Sequence, residues 1–265
     1  MFYSLSANHL IQQKGATLVE PIIILPLFLI IFFGVIEYSY AYRSKATLNM
    51  ASFEAVRQGA LSNAMLKPMK TALSAGMASE YSKGDNSALG LINANARAKM
   101  ISVAIDTFSR AEKTISVISP TKEVFNKHKI KTWVRLSNDN KERRRNIIPN
   151  DNLYWRNPVA KAVKVNGKNL HISVQDANLL KIKTLWCHRL VTPGLDRILY
   201  ETLLRPVMML GATKEQRACN ALTRASIAGN IISGGVIPRG YYLAMTSQAI
   251  MRMQTPVFND GKNLR

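Results

Sequence analysis

Apolar positions run without a charge from Ile22 to Ile36, fifteen residues in which only Pro26 and Gly34 depart from a bulky hydrophobic character. Glu20 and Pro21 stand at the head of this run. Counted from Ala16, the segment is 21 residues long, about 31 Å as a helix, enough to cross a hydrocarbon core of about 30 Å. A helix apolar on every side has no polar face to turn to water, so the pattern predicts a membrane anchor over residues 16–36 rather than a core helix. A secretory signal peptide would need a small-x-small site after the run, and Glu37-Tyr38-Ser39-Tyr40-Ala41-Tyr42-Arg43 fits that poorly. Tyr38, Tyr40 and Tyr42 instead suit the water–lipid boundary.

Past the run the pattern changes to helical. Residues from Glu37 to about Leu66 carry no proline and predict one continuous helix leaving the membrane, ended by Lys67-Pro68. Ala51, Ala55 and Gly59 fall at helical spacing and make a smooth seam, open either to a helix of another subunit or to the chain's own head. Met69 to Tyr81 predicts a second helix, and Ser87 caps a third that runs to about Arg110. After Glu112 the period shortens. Strands are expected over 115–119 and 132–136, a loop over 146–158, and a hairpin turning at Asn166-Gly167. A long strand over 181–190, helices over 194–210 (bent at Pro206) and 214–232 (ended by Gly234-Gly235), and a β-rich run over 241–253 complete the chain. The whole predicts an α+β fold: a transmembrane helix extending into a helical stalk over 37–112, then a head over 113–265 with an antiparallel sheet packed on helices.

Charge narrows the partners. The chain of 265 residues has 36 basic and 16 acidic side chains, a net charge of +20, which suits membrane headgroups, cell-wall polymers, nucleic acid or an acidic protein. Residues 122–145 hold nine Lys or Arg against three acids and end in Arg143-Arg144-Arg145. With Trp133, Tyr154 and Trp155 nearby, these arginines are a candidate polyanion-binding face; a solvated charged loop is the plainer reading, and nucleic acid is not the favoured partner. Two cysteines, Cys187 and Cys219, would close a 33-residue loop as a disulfide, contributing about 3–4 kcal/mol in the chain-entropy account. Two buried thiols are the alternative. No catalytic motif is present, and His9, His128, His171 and His188 lack metal-ligand spacing. Neither catalysis nor a cofactor nor a metal is expected. Asp151, Asp176, Asp196 and Glu201 could meet in space, but nothing in the sequence pairs them.

The stretch Lys14-Gly15-Ala16-Thr17-Leu18-Val19-Glu20 resembles the leader junction of type IV pilins and pseudopilins. Leu25-Pro26, Gly34-Val35-Ile36-Glu37-Tyr38 and Ala55-Val56-Arg57-Gln58-Gly59-Ala60 resemble the TadE-like minor pseudopilins of the tight-adherence (Tad, or Flp) pilus, with Pro21 standing where those proteins usually carry an aromatic residue. The resemblance covers about the first quarter of the chain. It implies a leader over residues 1–15, cleavage after Gly15 by a prepilin peptidase, and subunit register set by Glu20 and the new amine of Ala16. It also implies a single-pass protein of the bacterial inner membrane that works with other pilins and Tad assembly proteins. The charges around the span, Lys14 before it and Arg43 and Lys45 after it, argue alone for a cytoplasmic head; the resemblance implies a periplasmic one.

Overall fold

The computed structural model describes residues 19–82, 87–110, 112–136, 139, 141–165, 167–204, 213–229, 238–261 and 263–264. Helix α1 (Val19–Leu61) is 43 residues long, about 65 Å end to end. It carries the apolar run into the Ala-rich stretch without a break and contains Pro26. Between Ile22 and Val35 its described side chains are exposed, apart from half-buried Gly34. From Glu37 on, burial recurs at helical spacing, through Ser44, Leu48, Ala51, Ala55, Val56 and Gly59.

The end of α1 differs from the sequence expectation. It stops at Leu61, where Asn63 and Ala64 both take a positive φ of 58°. The C-terminal segment holds that turn. The N–H groups of Gln254 and Thr255 donate to the Ala60 carbonyl, and Asn263 donates to the carbonyl of Ala64. These contacts satisfy carbonyls that a helix end leaves orphaned. Pro68 does not break α1. It lies in the first turn of α2 (Leu66–Met77), where a missing N–H costs nothing.

The small-residue seam packs on the chain itself. A Cβ on Gly76 of α2 would stand 2.6 Å from the Ala51 Cβ, and one on Gly59 would stand 2.6 Å from the Met69 Sδ. A 3₁₀ turn (Ala78–Glu80) leads on to α3 (Ala88–Phe108), whose cap Ser87 accepts the Gly90 N–H at 3.1 Å.

The remaining elements are β1 (Ile115–Ser119), α4 (Lys122–His128), β2 (Ile130–Val134), β3 (Arg143–Ile148), β4 (Lys161–Val165), β5 (Lys168–Ile172), α5 (Val174–Ala177), β6 (Leu179–Arg189), α6 (Leu195–Leu199), a π-helical turn (Tyr200–Leu204), α7 (Lys214–Ala228), β7 (Tyr242–Arg252) and β8 (Val257–Phe258). Pairing is antiparallel throughout, in sheets ordered β1-β6-β7, β2-β3-β8 and β4-β5. The head thus holds small sheets rather than one continuous sheet. The basic arginines also differ from expectation: Arg143, Arg144 and Arg145 lie in β3, paired with β2, not in a loop. Helix α4, within the basic region, has no counterpart in the predicted elements; Thr121 caps it through the Val124 N–H.

The core forms where α1 lies across β6 and β7. Trp186, Leu180, Ile182 and Leu185 of β6 are fully buried with Leu48, Ala55 and Val56 of α1. A polar contact crosses this layer, Ser52 to Thr184, hydroxyl to hydroxyl at 2.6 Å. The outer edge of β7 is closed by side chains. Gln216 of α7 donates to the Tyr242 carbonyl and accepts the Ala244 N–H, at 3.0 and 2.9 Å, and Lys45 of α1 donates to the Thr246 carbonyl. Such cover keeps an edge strand from pairing with another chain.

Candidate functional site at the exposed apolar helix

Leu25, Leu27, Phe28, Ile31, Phe32 and Val35 of α1 are each more than half exposed. Apolar patches on soluble monomers rarely exceed a few hundred Å², and this sleeve wraps the helix on all sides over four turns. The helix from Ile24 onward is long and apolar enough to cross a membrane. Tyr38, Tyr40 and Tyr42 follow, also exposed, as a ring at its exit.

Glu37 marks the point where α1 enters the head. It is 4 % exposed, and its carboxylate accepts the Val191 N–H at 3.1 Å, the Thr192 N–H at 2.9 Å and the Thr192 hydroxyl at 2.6 Å. The loop after β6 is thereby tied to the helix at the level where the sleeve ends. Bonds from backbone N–H groups to a buried carboxylate are the strong, charge-assisted kind. Sequence reasoning missed this role, although an acid at the border of an apolar run was the signal that singled out Glu20.

Two clefts open along α1, one lined by Glu37 itself and one by the residues from Tyr40 on. One, of about 390 Å³, is almost wholly apolar and lies between Ile30, Gly34 and Ala41 of α1 and Leu195, Leu199 and Leu204 beyond the loop. The other, of about 360 Å³, lies between α1, the 3₁₀ turn, α3 and the ends of β6 and β7. His188 is buried there with Nδ1 2.6 Å from the Glu80 carboxylate. Burial pushes the Tyr242 hydroxyl up to about 12, and burial beside the Glu80 carboxylate holds Tyr81 well above its ordinary value. Both phenols are therefore neutral at physiological pH.

The residues singled out by sequence are widely spread. Gly15 and Ala16 lie outside the described residues; Glu20 lies in the first turn of α1, and its side chain is outside them too. Cys187 of β6 and Cys219 of α7 are joined, with Cα atoms 5.5 Å apart and both side chains fully buried. Arg143 and Arg145 both reach Asp139, at 3.2 and 2.6 Å, and Arg145 also stacks over Phe258. Only Arg144 points to the same strand face as exposed Trp133, its direct partner across the ladder. Exposed Tyr154 and Trp155 form an edge-to-face pair in the following loop. Asp151 is engaged by Arg156, and Asp176 closes a capping box with Ser173. Among the described residues no group of three His, Cys, Asp or Glu could hold a metal ion.

No curated protein and no solved structure shows a significant match to the chain. The family described as TadE-like protein matches residues 15–57. That span begins beside the Gly15-Ala16 junction, takes in the exposed sleeve and Glu37, and ends within the buried seam. The chain is therefore TadE-like over the segment that forms its apolar helix and carries it into the head.

Proposed function

We propose that the protein is a minor pseudopilin of a Tad (Flp) pilus, anchored by the first half of α1 in the bacterial inner membrane with its head in the periplasm. The carrying observation is the TadE-like match over residues 15–57, which takes in the exposed apolar half of one unbroken helix and its passage into the head. In this reading a prepilin peptidase cuts after Gly15. Glu20, costly to hold ionised at the edge of lipid without a partner, meets the Ala16 amine of a neighbouring pilin and sets register. The head then primes, stabilises or tips the fibre, or enters it, alongside other pilins and the Tad inner-membrane assembly proteins.

Sequencing the N-terminus of membrane-extracted protein tests the processing step. Ala16 as first residue is expected; Met1 in cells with an active peptidase would overturn it. Glu20→Ala should stay in the membrane and lose fibre assembly.

A second reading, a tethered head that grips DNA or cell-wall polymer without polymerising, draws on exposed Trp133, Arg144, Tyr154 and Trp155. It is weakened by Asp139, which neutralises part of the charge of Arg143 and Arg145. Salt-sensitive polyanion binding abolished by neutralising all three arginines would support it.

A further inference from the structure

The 360 Å³ cleft between α1, α3 and the ends of β6 and β7 carries a set of groups that the fold leaves unmatched. Arg43 of α1, Arg97 of α3 and Arg189 of β6 all line it, and none is in an ion pair among the described residues. Glu80 is the single carboxylate on its wall, already turned toward His188 through one oxygen. Its other oxygen, the Nε2 of His188 and the hydroxyl of Ser44 are buried and have no hydrogen-bond partner among the described residues. Buried polar atoms are almost always paired. Here a donor-and-acceptor hydroxyl, a carboxylate oxygen and an imidazole nitrogen share one cavity with an excess of guanidinium charge.

Position selects the ligand. Arg43 lies seven residues beyond Ile36, about 10 Å along the helix, and Tyr40 about 6 Å. Headgroups occupy roughly the first 5–8 Å outside the hydrocarbon core, so a long arginine side chain at Arg43 spans that layer. Apolar wall residues, Tyr40, Ile101 and Val191, border the same opening.

We propose that this cleft binds the phosphodiester headgroup of an anionic, hydroxyl-bearing phospholipid of the membrane that holds α1. Arg43, Arg97 and Arg189 take the phosphate oxygens, the geometry at which guanidinium excels. The Glu80 oxygen, the Ser44 hydroxyl and the His188 Nε2 take the headgroup hydroxyls. The site rests on the anchor reading above, because only a membrane-embedded α1 brings the opening to the headgroup layer.

The test uses the full chain, reconstituted in vesicles and then extracted in detergent for native mass spectrometry. From an equal mixture of phosphatidylglycerol and phosphatidylcholine, the protein should retain phosphatidylglycerol in roughly tenfold excess. Arg43→Gln/Arg97→Gln/Arg189→Gln should bring the ratio near parity. Lys131→Gln/Lys164→Gln/Lys168→Gln, the same charge removed from exposed positions on β2, β4 and β5, should leave it unchanged. Equal retention of both lipids by the native chain, or an equal loss in the lysine variant, overturns the site. Displacement of the lipid by inorganic phosphate at millimolar concentration would overturn the lipid as ligand in favour of free phosphate. Should the triple arginine variant fail to fold, Arg97→Gln alone, on the exposed face of α3, should still lower the ratio. Flotation separates the two claims: a chain that floats with no vesicle defeats the anchor, and one that floats without lipid preference defeats only the headgroup site.

Discussion

Thr192 gives both its backbone N–H and its hydroxyl to the carboxylate of Glu37, at 2.9 and 2.6 Å across 155 residues of sequence. The helix and the head meet at this clamp. Glu37→Ala would leave the N–H groups of Val191 and Thr192 without their acceptor, at a cost of about 1–3 kcal/mol for the buried Thr192 group and less for the part-buried Val191 group. Detergent-solubilised Glu37→Ala should melt several degrees lower, and hydrogen exchange should rise first at residues 190–195. Unchanged exchange there would mean the loop is held by other contacts.

Glycine in the contact between α1 and α2 is required unequally. At Gly76 an added methyl would strike Ala51 at both Cβ and Cα, 2.6 and 2.9 Å away, and the backbone of α1 cannot yield easily. At Gly59 it would strike the flexible end of Met69 and a Leu180 methyl. Overpacking costs about 1–3 kcal/mol, offset by about 1 kcal/mol from the helix preference of alanine. Denaturant titration should therefore find Gly76→Ala clearly destabilised and Gly59→Ala closer to the parent. The reverse ranking would contradict the packing described.

Cys187 and Cys219 tie the buried strand β6 to α7 across a sequence separation of 32. Replacing both by alanine should lower stability by about 3–4 kcal/mol in the chain-entropy account, and a reducing agent should have the same effect on the native chain but none on the variant. A midpoint insensitive to reductant would refute the bridge.

Acid should act on the head in stages. Burial, with the charge of Lys161, holds the His128 imidazole below its ordinary value, so the unfolded chain takes up that proton first. Stability is full above the ordinary value of about 6.5 and declines as pH falls through the lowered one. The Lys183 ammonium bonded to Glu215 holds that carboxyl below the usual range, a contribution present above about 4.3 and lost as pH falls further. Denaturant midpoints between pH 8 and 3 should follow these limbs. His128→Gln should flatten the first and Glu215→Gln the second, each leaving the other in place.

Much of the helical half was legible because its signals are local. The uncharged run from Ile22, the seam of Ala51, Ala55 and Gly59 and the Ser87 cap each act over a few residues. The end of α1 was not legible, because its stop comes from Gln254, Thr255 and Asn263 folding back onto Ala60 and Ala64. Proline misled there, since Pro68 is as compatible with a first helical turn as with a break. The arginine run read as a loop because its charge hid a strand whose pairing with Ile130–Val134 is non-local. Glu37, Glu80 and His188 acquire their roles from partners more than a hundred residues away.

The seam of Ala51, Ala55 and Gly59 is already occupied by the protein's own α2, which bears on the pseudopilin role proposed above. Above Glu37 no intimate backbone-to-backbone approach on that face is left to offer; a second copy would meet the opposite, exposed side of the helix, with bulky Met50, Phe53 and Tyr42. In that role, close bundling with like subunits would be confined to the stretch below the head, which suits a molecule used sparingly at one place in a polymer better than one stacked along its whole length.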